Sequence, residues 1–223
     1  MIRAVVLDFD GLVIDTEAAL IDAHEHVHRV HGVPFDRGRL VRSVGHADYA
    51  FDPWQAFDPG ADRPALDAER QLKNRELGLA LRLLPGVGPL IDAAVGAGLS
   101  LAVASNSGHA HVEGHLSRLG IRDRFSVVAC REDVASPKPE PDLYRFAVNR
   151  LGRRPSEAVA FEDSGTGLLA AKRAGLWAVA VPNAVTADHD FSTADLRVGS
   201  LAEIRLPELI ERFTGLGQPA PAP

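Results

Sequence analysis

Two aspartates separated by one residue close an apolar run near the N-terminus, in VVLDFDGLVIDTE. Asp8 and Asp10 flank Phe9, Gly11 follows at once, and Asp15 comes after a second apolar stretch. Carboxylates so close repel each other and lose hydration at the end of a buried strand, so they call for a cation. Three more polar sets end or follow apolar runs. Ser105, Asn106 and Ser107 follow LAVA, and Glu162, Asp163 and Ser164 follow AVAF. Lys138 lies between two prolines in SPKPEPD. If these sets meet, four carboxylates (Asp8, Asp10, Glu162 and Asp163) share one edge with a rigidly presented lysine. Oxygen-only ligands suit Mg²⁺ rather than zinc. The remaining donors, Ser105, Lys138 and the amides around Gly11 and Asn106, suit a phosphate, and Gly11 lets the backbone come close. Metal ligands, phosphate donors and a strand-end carboxylate together describe phosphoryl transfer, which is mostly positioning and charge neutralisation.

Such a site needs parallel strands to bring its parts together. Five short apolar runs read as buried strands: 2–9, 99–105, 125–130, 157–162 and 176–181. They lack polar alternation, as expected where helices cover both faces of a sheet. Helical patterns at 87–98, 111–120, 141–152 and 164–175 separate them, several ending in a basic residue and then glycine. The alternation predicts an α/β fold with a doubly wound, Rossmann-like parallel sheet. In such sheets ligands collect beyond the carboxyl ends of the strands, where all four polar sets lie. Between 15 and 83 the pattern is helical without a strand, and Pro53, Pro59 and Pro64 interrupt its middle. The expected organisation is a catalytic core of residues 1–14 and 84–215, an inserted all-helical cap at 15–83, and a disordered tail at 216–223.

The bulk properties narrow the partners. The 223 residues are 46% hydrophobic and 24% charged, with a formal net charge of −6 and no basic run. That excludes nucleic acid and anionic membranes as main partners. No stretch reaches the ~20 apolar residues of a membrane span, and the N-terminal run is too short for a signal peptide, so a cytoplasmic protein is expected. The single cysteine, Cys130, sits in an apolar run and reads as a buried small hydrophobe. Asp15 reads as the cap of the first helix, with a hinge role as the alternative. His24, His28 and His31 recur at helical spacing and read as a solvated flank rather than a metal face. Phe51, Trp54 and Phe57 read as core of the helical segment.

Taken together, DFDGLVIDTE, the SNS after LAVA, KPEPDLY and FEDSGTGLLAAKRAG resemble the haloacid dehalogenase-like hydrolase superfamily. The closer resemblance is to its helical-cap branch of β-phosphoglucomutase-like enzymes and sugar-phosphate phosphatases. The four motifs lie in order across residues 3–200, while the cap carries little of the likeness. The resemblance implies that Asp8 is a nucleophile forming an aspartyl-phosphate and Asp10 the general acid and then base, its carbonyl also binding metal. It implies that Ser105 and Lys138 hold the transferring group, that Lys138 helps keep Asp8 ionised, and that Glu162 and Asp163 complete a Mg²⁺ shell.

The presence of Asp10 favours phosphoryl transfer over dehalogenation, because the superfamily's dehalogenases lack that second aspartate. Against the mutases, Leu20 stands where they carry a histidine, and His46 in VGHADY where they carry an arginine for a second phosphate. Lys73-Asn74 is a loose match to their cap. The expected function is therefore a Mg²⁺-dependent phosphatase for a small phosphorylated metabolite, a sugar or polyol phosphate, acting as a monomer or weak homodimer. A cap closing over the substrate would exclude bulk water apart from the attacking molecule. The alternatives are a β-phosphoglucomutase-like phosphomutase and, further off, a non-catalytic binding member of the fold or a dehalogenase.

Overall fold

The computed structural model describes residues 1–43 and 51–219, and the His46 position lies outside them. The chain forms two compact units, one of Met1–Ile14 with Leu83–Pro223 and one of Asp15–Arg82. The first unit is built on a six-stranded parallel sheet. Its strands are β1 (Ala4–Leu7), β2 (Ser100–Ala104), β3 (Val127–Ala129), β4 (Ala158–Glu162), β5 (Trp177–Ala180) and β6 (Leu196–Arg197). Their order is β3-β2-β1-β4-β5-β6, which reverses direction at β1. β1 pairs with β2 on one side and β4 on the other, Leu7 lying opposite both Val103 and Phe161. Residues just past β1 therefore stand at the topological switch point, beside the ends of β2 and β4. All five expected strands are present, each shorter than its apolar run. The two-residue β6 gave no apolar run to read.

The helices of this unit are α4 (Val87–Gly96), α5 (His109–Arg118), α6 (Asp142–Arg150), α7 (Gly165–Arg173) and α8 (Leu206–Leu216). Small strand residues let α6 and α7 approach one face closely: Ala4, Ala102, Ala104, Ala129, Ala158, Ala160 and Ala178 pack with Leu143, Tyr144, Val148 and Leu168. α4 and α5 pack against β2 and β3. α8 is tied to β5 by a parallel stack of Phe213 on Trp177, ring centroids 4.5 Å apart. α8 runs one residue into the segment expected as tail.

The second unit contains α1 (Thr16–Val30), α2 (Arg37–Ser43) and α3 (Arg63–Ala80). Asp15 caps α1, its carboxylate accepting the Ala18 N–H at 3.0 Å. Asp62 caps α3 in the same way, with Pro64 in the first turn. α1 packs on α3, and Val27, Trp54 and Leu66 form the core with Phe57 against it. The histidines of α1 depart from the expected solvated flank. His24 and His28 are buried, His28 stacked parallel on Trp54 and edge-on to Phe57. Burial and then Arg70 push His24 down to about 4, so it stays neutral at physiological pH. An imidazole is amphipathic enough to serve as core beside aromatic rings, which helical spacing alone does not reveal. His31 faces outward and pairs with Glu69 at 2.9 Å. Among the described residues, no helix is long and apolar enough to cross a membrane.

Candidate active site

The sheet topology draws the four polar sets together in the α/β unit. Asp8 continues the β1 ladder by one hydrogen bond, its N–H donating to the Phe161 carbonyl at 3.0 Å. Ser105 does the same for β2, donating to Ala129 at 3.0 Å. The backbone ladder thus fixes both residues before their side chains meet anything. Asp8, Ser105, Lys138, Glu162 and Asp163 are all buried.

Lys138 is the hub. Its ammonium donates to Asp8 Oδ1 at 2.5 Å, to Glu162 Oε1 at 2.6 Å and to the Ala104 carbonyl at 2.7 Å. Those three contacts use its three protons. Asn106 holds the lysine's backbone from both sides, accepting its N–H at 2.9 Å and donating to its carbonyl at 3.2 Å. The Asn106 side chain is thus engaged in clamping the lysine loop, while the expected phosphate donors are the amides around it. Glu162, fully buried, also accepts the Tyr144 hydroxyl and the Ser164 hydroxyl. Gly167 passes so close to Glu162 that a Cβ there would fall 2.1 Å from its carboxylate.

Burial pushes the Asp8 carboxyl well above the usual range, Lys138 pulls it back, and Glu162 and Asp10 push it up again. Burial acts to lower Lys138, but Asp8 and Glu162 outweigh it and hold the ammonium above its ordinary range. Oxygens of Asp8, Glu162 and Asp163 lie within 4.8 Å of one another. Lys138 is the ammonium that faces Asp8 and Glu162 in that set. Three converging carboxylates, all hard oxygen donors, fit a divalent cation.

Asp10 points to a different set of partners. Its Oδ2 accepts from the Ser105 hydroxyl at 3.1 Å and the Ser107 hydroxyl at 2.7 Å. Its Oδ1 faces His111 Nε2 at 2.8 Å. That bond raises the His111 imidazole, burial opposing it. Neighbouring His115 is pushed down, first by burial and then by His111. The two carboxylates of DFD are therefore served by separate donors, a lysine for one and two hydroxyls with an imidazole for the other.

Gly11 closes the site on the remaining side. At φ +80 its N–H donates to the Ile14 carbonyl at 2.8 Å and closes a turn, so of the amides around Gly11 this one is already paired. Asn183, just past β5, donates to the Gly11 carbonyl at 3.1 Å and to Asp163 Oδ2 at 2.8 Å. A Cβ on Gly11 would lie 2.3 Å from Asp163 Oδ2 and 2.7 Å from Asn183 Nδ2. Gly11→Ala is therefore expected to lower the free energy of unfolding by about 1–3 kcal/mol, from positive φ and steric contact together. Chemical denaturation checks this, and a loss below about 0.5 kcal/mol would contradict the packing described.

Sequence reasoning assigned no site role to Ser107, His111, Tyr144 or Asn183. Ser107 and Tyr144 stand inside quoted motifs, SNS and KPEPDLY. His111 lies six residues past Ser105, in the first turn of α5, and Asn183 follows the fifth strand as the other polar sets follow theirs. Cys130 is buried, as expected, its thiol pushed up to about 12 by burial and Asp133.

A family model for haloacid dehalogenase-like hydrolases matches residues 2–175. YhcW of Bacillus subtilis (strain 168) is 36% identical over 218 residues, covering 96% of this chain and 98% of its own. Hexitol phosphatase B of Escherichia coli (strain K12) is 32% identical over 216 residues, covering 94% and 97%. Among solved structures, a mutant of CbbY from Rhodobacter sphaeroides in complex with xylulose-(1,5)bisphosphate superposes with a TM-score of 0.73. It is 32% identical, over 91% of this chain and 96% of that one.

Proposed function

We propose that this chain, which belongs to the haloacid dehalogenase-like hydrolases, is a Mg²⁺-dependent phosphatase of a small sugar or polyol phosphate, working through an aspartyl-phosphate on Asp8. The α/β unit is its catalytic core and the helical unit its cap. The observation that carries the reading is the division of labour between two neighbouring carboxylates. Asp8 is held among Lys138, Glu162 and Asp163, and Asp10 is held apart by two hydroxyls and an imidazole.

A nucleophile must be ionised and fixed, and Lys138 supplies charge and direction to Asp8 Oδ1. The Asp8 oxygen bonds to phosphorus while the ester bond breaks, and the leaving alcohol oxygen takes the electron pair with a proton from Asp10. Asp10 then accepts a proton from the water that attacks phosphorus, freeing Asp8 and inorganic phosphate. Asp8, Glu162, Asp163 and the Asp10 carbonyl would hold Mg²⁺, which supplies neutralisation of the carboxylates and of the phosphoryl oxygens. Ser105, with the backbone around Gly11 and Asn106, would bind the transferring group. Asn106 acts chiefly by holding the lysine loop. A hexitol phosphatase and a CbbY bound to a sugar bisphosphate, both about a third identical over nearly the whole chain, support the sugar class.

The test is phosphate release across a panel of sugar and polyol phosphates with Mg²⁺. Inorganic phosphate as product is expected from at least one. An isomerised sugar phosphate in its place, or no turnover of any member by folded protein, would contradict the reading.

Metal binding carries a second expectation. The Asp8 pKa is raised in the metal-free chain, so its contribution to stability is present at low pH and lost as pH rises from the usual carboxylate range through the raised value. Mg²⁺ offsets that loss. Mg²⁺ at one fixed concentration, about 100 times its dissociation constant at pH 8, should add about 2.7 kcal/mol there, or roughly 5–10 °C in Tm for a chain of this size. The gain should be larger at pH 8 than at pH 5 and absent in Asp163→Asn. Thermal denaturation with chelator and with Mg²⁺ reads this out, and an equal gain at both pH values would contradict it.

A further inference from the structure

We infer that His111 is a positioning residue for Asp10, fixing the carboxylate that passes the proton to the leaving group. The inference rests on the proposed role of Asp10 as acid and base. A carboxylate that must deliver a proton along one direction needs both of its side-chain torsions fixed, because a small misplacement of a proton donor is costly in rate. Ser105 and Ser107 both bind Oδ2, at 3.1 and 2.7 Å, and a carboxylate held by one oxygen can still swing the other. His111 Nε2, 2.8 Å from Oδ1, holds the second oxygen as well. While Asp10 is ionised it only accepts hydrogen bonds, so Nε2 then carries the proton in this contact.

The imidazole is itself well supported. It stands in the first turn of α5, whose start is held by Glu132 accepting the His109 N–H at 3.2 Å. Its ring is perpendicular to Phe9, centroids 5.9 Å apart, and edge-on to His115 at 4.9 Å. Phe9 is the residue between the two aspartates and is fully buried. One aromatic side chain of DFD therefore braces the imidazole that holds the second aspartate.

Asp8 has no part in this arrangement, so losing His111 should spare attack on phosphorus and harm protonation of the leaving group. The two are separable through kcat/KM, which reports steps up to formation of the aspartyl-phosphate. A p-nitrophenolate leaves without a proton, whereas an alkoxide needs one. For His111→Ala, kcat/KM should fall about 10–100-fold on a polyol phosphate and less than about threefold on p-nitrophenyl phosphate. His111→Gln, which can place an amide N–H near the Nε2 position, should restore the polyol phosphate to within about threefold of wild type. An equal loss on both substrates, failure of glutamine to rescue, or no loss on either would overturn the inference. Absence of turnover by the wild-type protein on both substrates would instead count against the phosphatase reading itself.

Discussion

Asp8→Asn is expected to lower kcat by about 10⁴-fold or more on any phosphate ester the wild-type protein turns over. The amide keeps the size of the side chain but is too weak a nucleophile to attack phosphorus. Uncatalysed phosphomonoester hydrolysis is among the slowest reactions enzymes accelerate, so little background would hide the loss. The fold should survive. Asp8 is placed by its backbone bond to Phe161, and Lys138 retains Glu162 and the Ala104 carbonyl. Substrate binding should persist, since the serine, the lysine and the surrounding amides remain. Steady-state kinetics with a fluorescence or calorimetric binding measurement separates the two. A variant retaining more than about a tenth of wild-type kcat would mean that Asp8 does not attack.

Lys138→Met should be the most damaging substitution for stability. It leaves Asp8 and Glu162 facing each other in the interior without the ammonium that joins them. Removing one partner from a buried ionic set typically costs about 3–5 kcal/mol, because the remaining charge cannot be rehydrated. The sign of its pH dependence follows. Without the lysine, Asp8 loses the charge that pulls its carboxyl back down and rises further above its unfolded value, so the folded state is favoured at low pH and loses ground as pH increases. The Tm deficit against wild type should therefore be larger at pH 8 than at pH 5. Activity should fall as well, since Asp8 would be protonated more of the time and no longer aimed. A deficit under about 1 kcal/mol, or one that shrinks as pH rises, would contradict the hub role of Lys138.

Much of this architecture was legible in the residues because burial and chemistry coincide in them. Alanine- and valine-rich runs without polar alternation mark strands covered on both faces, and the runs of β1, β2 and β4 lead straight into the polar residues of the site. The DFDG, SNS, KP and EDS clusters were therefore readable as one constellation. β6 was not legible, because two residues carry no pattern. Nor was α2, a short polar helix with Leu40 as its buried contact.

At the site, residue types were easier to read than hydrogen-bond partners. A sequence places Asn106 and Gly11 beside a phosphate. It does not say that the Asn106 amide is engaged with the backbone of Lys138, or that the Gly11 N–H closes a turn on Ile14. His111 escaped notice because its link to Asp10 spans 101 residues and depends on the rotation of α5 about its axis. His24 and His28 misled in the opposite direction, since helical spacing reports a shared face but not which way that face points.

The central claim is that the phosphoryl group passes through Asp8, and covalent trapping tests it most directly. Wild-type protein mixed with a radiolabelled phosphate ester and Mg²⁺, then quenched in acid during turnover, should retain label. Borohydride reduction of the acyl phosphate should then convert Asp8 to homoserine, located by peptide mapping. This modification is expected at Asp8 in the wild-type protein and is expected to be absent in Asp8→Asn. Turnover with no trapped label under conditions that stabilise acyl phosphates, or label mapped to another residue, would contradict it.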